Sequence, residues 1–385
     1  MAPTRSEPAR WVPPKRVTWA ELFFDVVFVF VITQVTELLR LDHGAKGLLQ
    51  ALVVFVPVYW VWVGTSVYAD THDVDALMDR LGLFAVGTAS LFMALAMPGA
   101  FGSRGVLLGC SYFTARVILA LLALRGPFRK VPRNPYNVAL LISGPLVFAG
   151  GFVHGPARIA LWFTAGAVDL LAPRLLRKDL ARIPFDAVHL PERYGLFFII
   201  ALGESVVLVG AVAADLPLTP LRLVAVASAY GLAFGLWWVY FHLAAQAIQQ
   251  AMERAAVRTE VMRPVLTYGH LLFVGSVVVI AVGLAEVVGA PSHRLHADTA
   301  GLLFGGTALY LATFSYTRWR MYHRTSWERL GGAVASLVLI PVGIFVPAVV
   351  AILLVIAVVV VVNVGEARRV RLTGPDFDLE EPAPA

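Results

Sequence analysis

Apolar runs long enough to cross a bilayer recur from one end of this chain to the other. They fall at residues 18–39, 47–68, 81–98, 105–124, 137–153, 157–173, 194–213, 221–243, 265–288, 299–317, 330–346 and 348–364. Hydrocarbon offers no partner for a backbone N–H or C=O, so segments of this kind are expected to be helices that satisfy their own backbone. Composition agrees. The chain is 59% hydrophobic and 15% charged, whereas soluble domains carry about 25% charged residues. The expected fold class is all-α, a polytopic integral membrane protein with about twelve transmembrane helices.

Charge placement sets the expected topology. With twelve spans and a cytoplasmic N-terminus, 24 of the 31 Lys and Arg fall on the cytoplasmic side and six on the other, with Arg116 inside a span. That asymmetry follows the positive-inside rule. Pro341 and Pro347 could instead mark one broken helix, giving eleven spans and an exported Arg368–Arg371 segment. The basic N-terminus before an apolar run resembles a signal peptide, but Glu21 and Asp25 inside the run and the lack of a small-residue cleavage site argue for an uncleaved first span. The net charge of +6 is scattered between spans, so membrane topology and not nucleic acid accounts for it. The lone Cys110 allows no intrachain disulfide and reads as a packing residue.

The spans suggest two copies of a six-helix unit. The first and seventh open with a glutamate followed by aromatics, and both carry a polar pair further in, Thr33-Gln34 and Glu204-Ser205. Trp60 and Trp62 in span 2 have counterparts in Trp237 and Trp238 of span 8. The expected organisation is a disordered N-tail (1–16), a first repeat (17–173), a basic linker (174–193), a second repeat (194–364) and a disordered C-tail (365–385), with both tails cytoplasmic.

Charges inside these runs are costly, about 2.5–3.5 kcal/mol each on insertion scales, and mark candidate sites. Glu21 and Asp25 lie one turn apart on one helical face, which Phe28, Ile32 and Thr36 extend. Glu21 sits near the interface, where Arg16 could pair with it. Asp25 lies ~6 Å deeper by helical rise. Glu204 falls ~18 Å along its helix from Glu192, near the middle of a ~30 Å core. There, between Gly203 and Ser205, it is the strongest single candidate for proton exchange. Arg116 is a counter-ion candidate for Asp25, Asp169 or Glu204, and Asp169 itself has Arg174 nearby. Weaker cavity or relay candidates are Thr33, Gln34, Trp60, Trp237, His242 and His270. The acidic stretch His72-Asp73-Val74-Asp75 with Asp79 lacks an EF-hand pattern and is expected to dock on basic loops. His293 and His296 are too few for a metal site.

The stretches ELFFDVVFVFVITQV and ERYGLFFIIALGES resemble the two signature segments of the bacterial low temperature requirement protein A (LtrA) family, and the resemblance runs from about Arg16 to Val364. It implies a multi-pass protein of the bacterial inner membrane, with Glu21 and Asp25 in a central site. The four lysines all lie in tails or loops, which excludes a retinal Schiff base. GxxxxGK[ST], HExxH and GxSxG are all missing from the sequence. The expected function is a permease-like transporter coupled to protons or cations, with no cofactor and no metal, partnered by the lipid bilayer and a small solute or ion. A cation channel, a membrane-embedded enzyme or lipid-handling protein, and a non-transporting stress protein are the alternatives. An enzyme site would gather Glu21, Asp169, His242 and His270 near one interface.

Overall fold

Twelve long helices and their short connections make up the computed structural model, which describes residues 15–373. The helices are α1 (Trp19–Leu41), α2 (Ala45–Thr71), α3 (Leu77–Ala96), α4 (Gly105–Ala123), α5 (Pro135–Phe152), α6 (Gly155–Leu175), α7 (His189–Ala214), α8 (Pro220–Arg254), α9 (Thr259–Gly289), α10 (Ala297–Tyr322), α11 (Trp327–Phe345) and α12 (Ala348–Thr373). No strand occurs among the described residues. Most of the expected tails, 1–14 and 374–385, lie outside them.

Ten of these helices are long and apolar enough to cross a membrane. The exceptions are α6 and α10, whose 21 and 26 residues give sufficient length but carry more polar residues. The protein is therefore a multi-pass membrane protein. Large apolar side chains face outward, among them Leu141 (72% exposed) and Val361 (70% exposed), as a bundle surrounded by lipid requires.

Local sequence explains the helix ends. Thr18 caps α1 through a capping box closed by Glu21, and Asn134 and Thr219 cap α5 and α8 ahead of Pro135 and Pro220. The C-cap of α10 is His323 in the left-handed region, at φ 52°. Extended backbone at Val346, followed by Pro347, separates α11 from α12 as two helices, not one broken rod. Wide π-type turns interrupt α5 at Ala139–Ser143, α8 at Tyr240–Ala244 and α9 at Met262–Gly269.

Several boundaries differ from the sequence reading; α9 begins at Thr259 and α10 runs on to Tyr322. Helix α7 starts at His189, five residues before the expected span, so the end of the basic linker is helical. Helix α8 continues through its π turn to Arg254. Residues 365–373, expected in the C-tail, extend α12.

The packing forms two rings. In one, α1 lies against α2 and α3, α3 against α4, α4 against α5, α5 against α6 and α6 against α2. In the other, α7 lies against α8 and α9, α9 against α10, α10 against α11, α11 against α12 and α12 against α8. The rings meet where α1 and α2 contact α7 and where α1 contacts α9. Helices α2 and α9 are the most deeply buried.

Candidate functional site

The junction of α1, α2 and α7 holds a cluster of ionisable side chains shielded from solvent. Its members are Glu21 and Asp25 on α1, Asp70 on α2, and His189 and Arg193 on α7. Arg193 grips Asp25 with both terminal nitrogens, at 2.9 and 3.1 Å, the bidentate geometry that a planar guanidinium allows. Its Nε lies 3.2 Å from Glu21 Oε2 and donates to Ser66 Oγ at 3.3 Å. Trp62 Nε1 donates to Asp25 Oδ1 at 2.9 Å, and the Arg193 guanidinium lies over the Trp62 ring, 5.8 Å from its centroid.

His189 bridges two carboxylates. Nδ1 is 2.9 Å from Asp70 Oδ1 and Nε2 is 3.0 Å from Glu21 Oε2. A neutral imidazole carries one N–H, so both contacts are hydrogen bonds only when the Glu21–His189–Asp70 group holds one further proton. The remaining oxygens are also engaged. Asp70 Oδ2 accepts from the Asp186 N–H at 3.0 Å, and Glu21 Oε1 from the Thr18 N–H at 3.1 Å. Lys15 Nζ donates to the carbonyls of Ala69, Asp70 and His72 at the end of α2. With His189 doubly protonated, the three carboxylates face His189, Arg193 and, at the end of α2, Lys15.

Beyond Asp25 the α1–α7 seam becomes aromatic. Phe197 stacks on Trp62 with centroids 4.0 Å apart, and Phe28 meets Phe197 at 6.1 Å. Past this layer Thr33 Oγ1 lies 2.6 Å from Glu204 Oε2 and 3.0 Å from Val29 O. A threonine hydroxyl has one hydrogen. If it goes to Val29 O, a protonated Glu204 supplies the hydrogen for the shorter contact. Ser205 turns away and donates to Leu202 O, and Gln34 is half-buried.

The structure thus places Glu21, Asp25, Thr33 and Glu204 along one seam, but not Arg116. Arg116 pairs with Asp169 at 2.6 Å inside the first ring, with Tyr112 and Ser143 also bonded to that carboxylate. It is neither the counter-ion of Asp25 nor that of Glu204. Glu21 bonds to His189 and Arg193, not to Arg16. Other basic residues are also buried within helices. Arg158 is 1% exposed in α6, where it donates to Ala100 O, Gly102 O, Gly150 O, Gly151 O and Val153 O. Arg329 pairs with Glu366 at 2.8 Å in the second ring.

The expected relay and cavity residues scatter. His270 is buried, with Tyr240 Oη 2.6 Å from Nε2 and Leu266 O 2.9 Å from Nδ1. His242 is exposed and stacks on Trp238. Trp60 stacks on Tyr268 within the bundle, and Trp237 lies on the outer surface at 38% exposure. Glu21, Asp169, His242 and His270 therefore have separate partners and form no common site. Asp79 docks on Tyr68 and, at 3.6 Å, on the basic Arg125.

Asp70, His189 and Arg193 escaped the sequence reading. Each lies within a turn or so of a helix end, where a charge ordinarily meets water. The available signal was that Arg193 follows Glu192 directly within the second signature segment.

Residues 16–364 match the family described as Bacterial low temperature requirement A protein (LtrA). A protein of Rhizobium meliloti (strain 1021), itself described as uncharacterized, is 29% identical over 315 residues, covering 77% of this chain and 76% of its own. No solved structure matches.

Proposed function

The chain belongs to the bacterial low temperature requirement A family, and from that premise we propose a permease-like transporter of the bacterial inner membrane, coupled to protons or other small cations. The observation that carries this reading is the buried Glu21–His189–Asp70 group joined through Arg193 to Asp25. It packs three carboxylates against Arg193, His189 and Lys15, shares a proton among Glu21, His189 and Asp70, and spans the contact between the two helix rings. Losing that proton leaves an uncompensated negative charge in a medium where charge is expensive. Release is therefore tied to arrival of another proton or cation, which is the requirement for coupling.

The same neighbour order in both rings supports two six-helix repeats, α1–α6 and α7–α12, with all twelve helices crossing. An even number of crossings puts both ends of the chain on one side, and the lysine and arginine distribution supports the cytoplasm as that side. Thr33 and Glu204, equivalent positions in such repeats, meet at the seam. In this reading Glu204 is a second proton site, separated from Asp25 by the Phe28–Phe197 layer.

Reconstitution into liposomes with an internal pH dye tests the proposal. A cation or pH gradient is expected to drive saturable proton movement in the wild type. It should be lost in Asp25→Asn and Glu204→Gln variants that keep the wild-type elution profile. Non-saturating flux favours a channel instead. No flux in any gradient, or wild-type flux in both variants, overturns the assignment.

A further inference from the structure

We propose that a groove between α1–α2 and α9–α10 holds one acyl chain of a membrane phospholipid, with its amine headgroup at His43, Glu286 and Asp298. The cavity measures about 540 Å³, and of its twenty lining residues only His43 and Asp298 carry polar side chains. Both lie at one end, beside the α1–α2 turn and the start of α10.

The dimensions fit a lipid. The lining runs from Gly44 to Phe55 on α2 and from Asp298 to Leu309 on α10. Each stretch rises ~16 Å along its helix. That is about half of a ~30 Å hydrocarbon core, the depth of one leaflet. A water-soluble substrate would gain nothing from so long an apolar wall, whereas an acyl chain matches it along its length.

Glycines keep the groove open. A Cβ at Gly301 or Gly305 would meet no atom within 4 Å, so at these positions the wall faces empty space and not a neighbouring helix.

The polar end supplies a second, independent observation. His43 Nε2 is shielded from solvent and has no hydrogen-bond partner, with Glu286 Oε1 at 3.9 Å, beyond bonding reach. A buried imidazole nitrogen left unpaired is costly, and a small turn of the His43 ring into the groove that it lines would bring this nitrogen to a headgroup phosphate. The Glu286 and Asp298 carboxylates complement the positive charge of an ethanolamine-type headgroup. This inference needs only the membrane setting and does not depend on the transport reading.

The test uses the full-length protein in phosphatidylethanolamine–phosphatidylglycerol liposomes, with trace phosphatidylethanolamine or phosphatidylglycerol bearing a diazirine midway along one chain. After illumination, mass spectrometry maps the labelled peptides. In the wild type, label from the ethanolamine probe should concentrate at Leu52, Leu302 and Leu309, and excess unlabelled phosphatidylethanolamine should compete it away saturably. Gly301→Leu with Gly305→Leu starts each new side chain where a Cβ meets nothing within 4 Å and should lower that label at least fivefold, leaving label at the outward Val361 unchanged. His43→Ala with Asp298→Asn should abolish the preference for ethanolamine over glycerol. Groove label no stronger than that at Val361, or unaffected by the filling variant, overturns the site. Equal wild-type label from the two probes overturns the headgroup assignment. Competition in the wild type reads out the site even if a variant fails to fold.

Discussion

Asp25 and Arg193 stand 168 residues apart in sequence and form a two-pronged ion pair at 2.9 and 3.1 Å, with both side chains buried. This pair joins the first signature segment to the second and, with them, α1 to α7. Replacing one partner leaves the other charge unpaired away from water, which costs about 3–5 kcal/mol. Arg193→Leu is therefore expected to lower thermal stability in detergent sharply. Arg193→Leu combined with Asp25→Leu should recover much of the loss, as a double-mutant cycle would measure. Arg193→Lys should fall between, since an ammonium cannot reproduce the bidentate fork.

At the other end of the seam the chemistry is neutral enough for a milder outcome. Glu204→Gln keeps a hydrogen-bonding group opposite Thr33 and should change stability by less than about 1 kcal/mol. Thr33→Val removes the partner and strands the Glu204 carboxyl, at a cost of about 1–3 kcal/mol. Chemical unfolding in mixed micelles would rank the two. The reverse order would show that Glu204 is paired to something other than Thr33.

Arg116 and Asp169 offer a control. Their pair, at 2.6 Å, lies inside the first ring and away from the α1–α7 seam. Asp169→Asn should reduce folded yield, yet flux per folded molecule should remain that of the wild type. A selective loss of flux would bring this pair into the pathway.

His72 gives a pH test outside the spans. Its ring stacks on Tyr68 with centroids 4.0 Å apart, and burial holds the imidazole below its ordinary value. With the folded value lowered, the unfolded chain binds the extra proton. The stabilisation is thus fully present above about pH 6.5 and fades as pH falls through the folded value. The drop in melting temperature between pH 7.5 and 5.5 should be smaller in His72→Phe than in the wild type. An identical drop would mean that His72 titrates as if free.

The sequence made the helices and the carboxylates visible for one reason: a charge inside an apolar run is anomalous at any position. Glu21, Asp25 and Glu204 stood out on that basis, and Asp169 and Arg116 were legible as possible partners. Asp70, His189 and Arg193 were not, because a charge near a helix end needs no explanation until tertiary packing buries it. Arg158 escaped notice for a related reason. It follows Gly155 and Pro156, residues that normally announce a turn, yet its guanidinium collects carbonyls from two turns at once. Pairing across 168 residues leaves no local trace.

Glu21 both closes the first turn of α1, through Thr18, and meets His189 and Arg193 on α7. The root of α1 is thus tied to the opposite ring by charge-assisted contacts, while its middle is held there by the Thr33–Glu204 bond and by apolar packing such as Phe28 on Phe197. Charge-assisted bonds are roughly twice as strong as neutral ones. Any parting of α1 from α7 costs least on the Thr33 side, so the ionic cluster acts as the fulcrum of such a movement and the Glu204 end as its free arm.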